Sequence, residues 1–284
     1  MSPNPDLPPT LMGTRVDAGL HTAPGRPIDV AAYEQYIGRW SRLFVPALLA
    51  AAEVAAGCRV LDVAAGPGEA ALAAASVVAS GGLIVGADVS PPMLKAARGR
   101  PGGGSLVMLA ADGQELPFKE SVFDAVVCQL GLQCFADPGR GLLEFRRVLR
   151  PAGRAAICVV STADRAPTWG VLADALSRHL PEHRDRLHLP FALADAERLE
   201  RMLVGTGFQD VRVRRETRSV TFESFGAYWA SIEAGTGTMP QAYLSLPGSA
   251  RRAVRDEVRT RLAEFESGGR IVTTVEMLIG AGRA

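Results

Sequence analysis

Three carboxylates mark the apolar runs: Asp62 lies inside the first, in VLDVAAGPGEAAL, while Asp88 in VGADVSPPML and Asp112 in AADGQELPF stand at run ends. A small-residue turn, Gly66-Pro67-Gly68-Glu69-Ala70-Ala71, follows the first of them and fits the pattern G-x-G-x-x-G/A. Gly66 and Gly68 lack a Cβ, so a ligand can approach the backbone, and the helix that follows offers free N–H groups. By itself the pattern is weak, because small residues in a strand-to-helix turn also ease helix–sheet packing. Asp88 strengthens it. It ends the next apolar run twenty residues after Gly68, where a carboxylate accepts hydrogen bonds from both hydroxyls of a ribose.

A ribose acid of this kind serves a nicotinamide dinucleotide and S-adenosylmethionine equally, and Asp62 separates the two. A dinucleotide places its pyrophosphate on the helix N-terminus, and an acid just upstream would repel it. A cofactor with a free α-amino group and a sulfonium instead favours nearby negative charge. A buried carboxylate needs a partner. For Asp62 that partner is either a set of loop N–H groups or an amino acid's ammonium, and the two are compatible. The Tyr-x-x-x-Lys pair of many oxidoreductases is missing, since neither Lys95 nor Lys119 follows a tyrosine at that spacing.

The elements that must position these acids alternate. Residues 1–27, rich in proline, read as a flexible arm, and 28–56 as two helices, the second running to Gly57. CRVLDVAA, LIVGADVS, SLVMLAAD, FDAVVCQLG and RAAICVVS read as strands separated by helices at about 69–79, from Pro91, and at 139–149. Strands apolar throughout and separated by helices form a parallel sheet covered on both faces. Beyond Ser161, helices at about 168–180 and 195–205 precede the alternating strand GFQDVRVRRETRSVTF, and RIVTTVEMLIGAGRA is a last strand. The expectation is therefore an α/β, doubly wound, Rossmann-like, mostly parallel seven-stranded sheet. Its core spans 57–161. Residues 162–284 complete the sheet and add helical insertions at about 162–205 and 223–267, which with the N-terminal helices form a cap over the carboxyl edge.

Composition limits the functions open to this chain. Its 284 residues carry a net charge of +1, which offers no electrostatic footprint for nucleic acid or an anionic membrane. The four cysteines, Cys58, Cys128, Cys134 and Cys158, form no C-x-x-C pair and read as reduced thiols. No apolar leader or bilayer-length run stands out. A cytoplasmic enzyme of small molecules is the expectation, with an oligomer possible and no metal.

With these motifs in order over about residues 30–160, the sequence resembles the class I S-adenosylmethionine-dependent methyltransferases, and within them the small-molecule group similar to ubiquinone/menaquinone C-methyltransferases. LDVAAGPG matches the family's first motif, with Ala64 where many members have glycine and Ala65 where Cys or Gly is frequent. GQELPF, FDAVVCQLGLQCFADP and EFRRVLRPAGRAAI are further matches. The resemblance implies S-adenosyl-L-methionine as cofactor and S-adenosyl-L-homocysteine as product. It implies Ala64, Gly66 and Gly68 along the methionine part, with Asp62 answering its ammonium, and Asp88 on the ribose. Asp112, Gly113 and Gln114 would lie at the adenine, Val89 and Met93 as its apolar clamp, and Gln129 and Leu130 beside the cofactor. Tyr33 and Trp40 would close over it, where a π face favours the sulfonium. Plain packing or capping is the competing reading for Tyr33, Trp40, Val89, Met93 and Asp112.

Methyl transfer from a sulfonium is a direct displacement that needs position and dryness, and a base only where the acceptor must lose a proton. His179, His183 and His188 in SRHLPEHRDRLHLP and Glu233 in YWASIEAGTG are weak candidates for that base, with solvated roles as the competing reading. Phe135, Trp169, Phe191, Tyr228 and Trp229 are available to line an apolar acceptor site. The expected function is methyl transfer to an apolar or aromatic small molecule. The alternatives are a nicotinamide-dependent oxidoreductase and an S-adenosylmethionine-binding protein that does not methylate.

Overall fold

The computed structural model describes residues 30–284, so the expected arm at 1–27 lies outside the described residues. Eight strands form one sheet: β1 (Arg59–Val63), β2 (Leu83–Asp88), β3 (Val107–Ala110), β4 (Phe123–Gln129), β5 (Leu149–Val160), β6 (Gln209–Phe222), β7 (Glu266–Ser267) and β8 (Arg270–Arg283). Their order is β3-β2-β1-β4-β5-β8-β6, with β7 paired to β8. β1 to β5 run parallel, and β8 is antiparallel to β5 and β6. The seven long strands agree with the expected mostly parallel sheet. The two-residue β7 is an addition, turned into β8 by Gly268 and Gly269, both at positive φ.

The apolar runs follow from burial on both faces. Val60, Ala125, Val127, Ala156 and Cys158 pack into one core, while Leu61, Val63, Val126, Ile157 and Val159 pack into the other. The second face is covered by helices Pro138–Val148 and Ala196–Gly205, each started by an aspartate, Asp137 and Asp195, whose carboxylate accepts a first-turn N–H. β6 borders only β8 and is half exposed, and its arginines keep that edge polar. The expected turn at 151–153 lies inside β5 as a bulge, where pairing jumps from Leu149 to Arg154 and Ala152 takes φ +67°.

The N-terminal helical region departs from expectation. It is one helical run from Val30 to Ala51 containing a π-helical turn, Glu34–Gly38, and it ends well before Gly57. Glu53 at φ +53° turns the chain, and the Gly57 N–H donates to Val78 O at 2.9 Å, so the descent into β1 overrides the helix preference of Ala-Glu-Val-Ala. Residues 223–267 fold mainly as helices Phe225–Glu233, Thr238–Ser245 and Gly248–Leu262, the last against Pro167–His179.

Candidate active site

β1 sits where the strand order reverses, with β2 and β3 on one side and β4 and β5 on the other. A crevice at the carboxyl ends of such strands is where open α/β sheets bind ligands. Here it is a cavity of about 420 Å³, walled on one side by strand-end residues and on the other by Tyr36, Trp169, Leu189, Pro190 and Met239.

The loop after β1 is wound in left-handed steps: Ala64 at φ +58°, Gly66 at +53° and Gly68 at +84°. A Cβ on Gly66 would meet nothing within 4 Å, so this glycine leaves its cradle open toward the cavity. The Gly66 N–H donates to Asp88 Oδ2 and the Ser90 N–H to Asp88 Oδ1, both at 2.8 Å. Burial raises the Asp88 carboxyl above its usual range, and these two N–H groups oppose the shift. Asp62 is 1% exposed. Its Oδ2 accepts the Ala71 N–H at 2.9 Å, capping the next helix from inside the sheet. Burial pushes this carboxyl up to about 8, countered by the Ala71 N–H and reinforced by Asp88. Asp62 also lines a smaller recess with Gly66, Glu69, Ser41 and Gln129.

Beyond β3, Asp112 Oδ1 accepts the Gln114 N–H at 2.9 Å. Gln114 Oε1 in turn accepts the Asp137 N–H at 2.7 Å. Gly113 is pressed closely: a Cβ there would come to 2.4 Å of Phe135 Cζ and 2.7 Å of Val63 Cγ1. At the end of β4, Gln129 Nε2 donates to Ser41 O at 2.6 Å, tying the N-terminal helical run to the strand end. Leu130 takes φ +59° while its N–H donates to Cys158 O at 2.8 Å.

The family described as Methyltransferase domain matches residues 61–157. The demethylmenaquinone methyltransferase of Corynebacterium kroppenstedtii is 33% identical over 175 residues, covering 58% of this chain and 73% of the relative. The chain belongs to the class I S-adenosylmethionine-dependent methyltransferases. The demethylmenaquinone methyltransferase of Clavibacter sepedonicus is 44% identical over 108 residues, which is 38% of this chain but only 43% of that relative. Phosphoethanolamine N-methyltransferase 2 of Haemonchus contortus, solved with S-adenosyl-L-methionine, shares the fold at a TM-score of 0.55 and 19% identity, over 89% of this chain and 56% of that one. The cofactor of this methyltransferase is S-adenosyl-L-methionine. The site suits it. Asp62 borders the recess beside the glycine turn, and Asp88 and Asp112 line the main cavity.

Of the residues singled out in the sequence, Tyr33, Ala64, Gly66, Asp88, Val89, Asp112, Gly113, Gln114, Gln129 and Leu130 line the cavity of this methyltransferase. Three others do different work. Trp40, 2% exposed, donates its indole N–H to Tyr36 O at 2.8 Å and packs edge-on against Trp169 at 4.8 Å, so it supports the wall from behind. Met93 is fully buried under the helix Pro91–Gly99 and does not reach the cavity. Gly68 faces Ala97, whose Cβ would be 3.0 Å from a Cβ at Gly68, so it serves the turn and helix packing. Asp62 meets the smaller recess only.

The base candidates fail on position. His179, His183 and Glu233 are exposed, His188 lies 3.6 Å from Asp174, and none of the four lines the cavity. The polar helix ends turn His179, His183 and Glu233 outward, while His188 is half-buried beside Phe191, away from the cavity. Phe135 and Trp169 line the cavity as expected. Phe191, Tyr228 and Trp229 do not; Tyr228 is fully buried and donates to Thr168 O at 2.7 Å. Tyr36, Gln133, Cys134, Arg186 and Met239 line it without having been singled out. The aromatic spacing Tyr33–Tyr36 was the one available signal. Among the described residues no helix is long and apolar enough to cross a membrane. No three His, Cys, Asp or Glu side chains there gather as metal ligands.

Proposed function

We propose that this methyltransferase methylates an apolar or aromatic small molecule held between the strand ends and the helical cap. The observation that carries the reading is that one cavity joins the acid-lined strand ends to a largely apolar cap wall. The recess beside the glycine turn then receives the methionine part, with Asp62 facing its ammonium. Asp88 holds the ribose, and Asp112, Gly113, Gln114 and Val89 surround the adenine. Bound there, S-adenosylmethionine supplies a sulfonium-activated methyl open to in-line displacement by an acceptor atom. The chain's own residues supply position and dryness. Tyr33 and Tyr36 close the donor side, while Trp169, Leu189, Pro190 and Met239 exclude water around the acceptor. Residues 57–161 act as the cofactor core, and 162–205 and 223–267 with the N-terminal helices act as the cap. The names of the Corynebacterium and Clavibacter relatives make a quinone-like ring a fitting member of this acceptor class.

Calorimetric titration with S-adenosylmethionine, S-adenosylhomocysteine and NADH tests the donor side, and binding of NADH alone would overturn it. Asp88→Ala is expected to weaken cofactor binding by about 1–3 kcal/mol, the scale of hydrogen bonds to a charged group. Turnover on a panel of phenols, quinols and alkyl amines tests the acceptor side, and exclusive activity on the amines would refute an apolar or aromatic acceptor.

A further inference from the structure

A buried polar group beneath the cap is only half paired by the protein. Gln133, in the short turn Leu132–Cys134 after β4, is 3% exposed and lines the cavity. Its Oε1 accepts the Val160 N–H at 3.4 Å. Only the oxygen of an amide can accept a backbone N–H, so this bond fixes which end of the side chain is the NH₂. Among the described residues that NH₂ has no hydrogen-bond acceptor, yet it is not sealed in. The unpartnered indole nitrogens of Trp169 and Trp229 are closed off, whereas Gln133 Nε2 keeps some accessible surface. The little surface that Gln133 retains therefore presents a donor to the cavity.

Its place in the fold sets this amide apart from the three acids. Asp62 lies in β1, Asp88 ends β2 and Asp112 follows β3, all on the β1-to-β3 side of the sheet. Gln133 leaves β4 and is tied to the last residue of β5, on the other side. The turn Leu132–Cys134 packs against Leu189–Phe191, so Gln133 lies under the wall that Leu189 and Pro190 make. Two other polar side chains near that wall are engaged or outside it. The Tyr36 hydroxyl donates to Met239 Sδ at 3.9 Å, and Arg186 is exposed. We propose that Gln133 Nε2 donates a hydrogen bond to an uncharged oxygen of the acceptor, and so selects a carbonyl or hydroxyl carried on an otherwise apolar frame. The word acceptor rests on the methyl-transfer reading, while the donor site itself does not. A neutral amide in an apolar wall suits a neutral lone pair, since an ion there would lose its hydration without a counter-charge. An acceptor lacking the oxygen leaves the amide desolvated and unpaired, which is how a few polar groups in an apolar pocket set specificity.

α-Tetralone, α-tetralol and tetralin share one ring frame and differ by a carbonyl, a hydroxyl or no oxygen. Each is titrated into enzyme saturated with S-adenosylhomocysteine, in the wild type and in Gln133→Met, which keeps the length of the side chain without its amide. The ratio of ketone to tetralin affinity is expected to be roughly threefold to tenfold higher in the wild type, the scale of a net neutral hydrogen bond. The same gain for the alcohol brings hydroxyls under this donor, and a gain for the ketone alone confines it to carbonyls. Affinity for tetralin and for S-adenosylhomocysteine should not change. A merely structural role would weaken ketone and tetralin alike. Isotope-edited infrared difference spectra need no variant: the carbonyl stretch of α-tetralone bound to the wild type should fall below its frequency in an apolar solvent. The proposal is overturned if no probe binds, if that stretch stays at the apolar-solvent frequency, or if Gln133→Met leaves the affinity ratios intact. It is equally overturned if the variant weakens ketone and tetralin alike, or weakens S-adenosylhomocysteine instead. Failure of the wild-type chain to bind S-adenosylhomocysteine would sink the methyl-transfer reading, and the probe titrations without it would still decide the amide site.

Discussion

Replacing Asp62 with asparagine separates its two jobs. The amide oxygen can still accept the Ala71 N–H, which the native Oδ2 takes at 2.9 Å, while the charge is gone. Burial places the native carboxyl at about 8, so at pH 7 roughly nine in ten unliganded molecules carry a proton there. A cofactor ammonium favours the ionised form, so binding expels that proton. Calorimetry at pH 7 in two buffers of different ionisation enthalpy should therefore record release of close to one proton, about 0.9 in the limit. Affinity for S-adenosylhomocysteine should climb as pH rises toward 8, by up to about tenfold per pH unit, and level off above. In Asp62→Asn the Asp62 share of the release and of the slope vanishes, leaving what Asp88 contributes, and affinity at pH 8 drops by about 1–3 kcal/mol. The sign for stability is opposite to that for binding. The folded state holds this proton between the ordinary value of 3.8 and about 8, where the unfolded chain has lost it. Stability of the unliganded protein therefore declines as pH rises through that window, and the asparagine variant loses that decline. Wild-type binding with no proton release, or a variant with an unchanged pH slope, would refute the placement of Asp62 against the ammonium.

Ala64→Gly removes a left-handed strain at φ +58°. That strain costs about 1–2 kcal/mol, and glycine's extra chain freedom takes back about 0.5–1 kcal/mol. A net gain of about 0.5–1 kcal/mol in urea unfolding is expected, and a loss would contradict the loop geometry. Gly113→Ala drives a methyl to 2.4 Å of Phe135 Cζ, which should cost about 1–3 kcal/mol of stability and weaken cofactor binding alongside. Single alanine replacements of His179, His183, His188 and Glu233 should each leave kcat within about twofold of wild type, since none lines the cavity; a hundredfold loss at any of them would place a base where the geometry has none.

What was legible in the sequence was what is local in it. The acids that mark apolar runs, the glycine turn and the strand–helix alternation each lie within a dozen residues, and the sheet and the strand-end half of the cavity follow from them. The cap half was not legible, because Gln133, Trp169, Arg186 and Met239 come from four separate segments that only tertiary packing brings to one wall. Phase errors account for the rest. Trp40 and Met93 carry the right chemistry but turn into the core. Gly68 belongs to the fingerprint, yet its missing Cβ makes room for Ala97 and not for a ligand. Ala64 stands where many members of the family have glycine, and the backbone there adopts the conformation that glycine would relieve. Leu130, at φ +59°, carries no such signal in its side chain.

The π-helical turn at Glu34–Gly38 acts as a phase setter. An ordinary helix advances about 100° per residue, and a π turn accommodates one residue more than that geometry would. Deleting a single residue from the turn would restore a regular helix and swing everything before it by about 100° relative to Trp40, which is anchored on Trp169. Tyr33 would rotate off the wall of the cavity while the helix itself stayed intact. The extra residue is thus a unit of angular register, through which a lineage could reshape this wall without substituting any residue that lines the cavity.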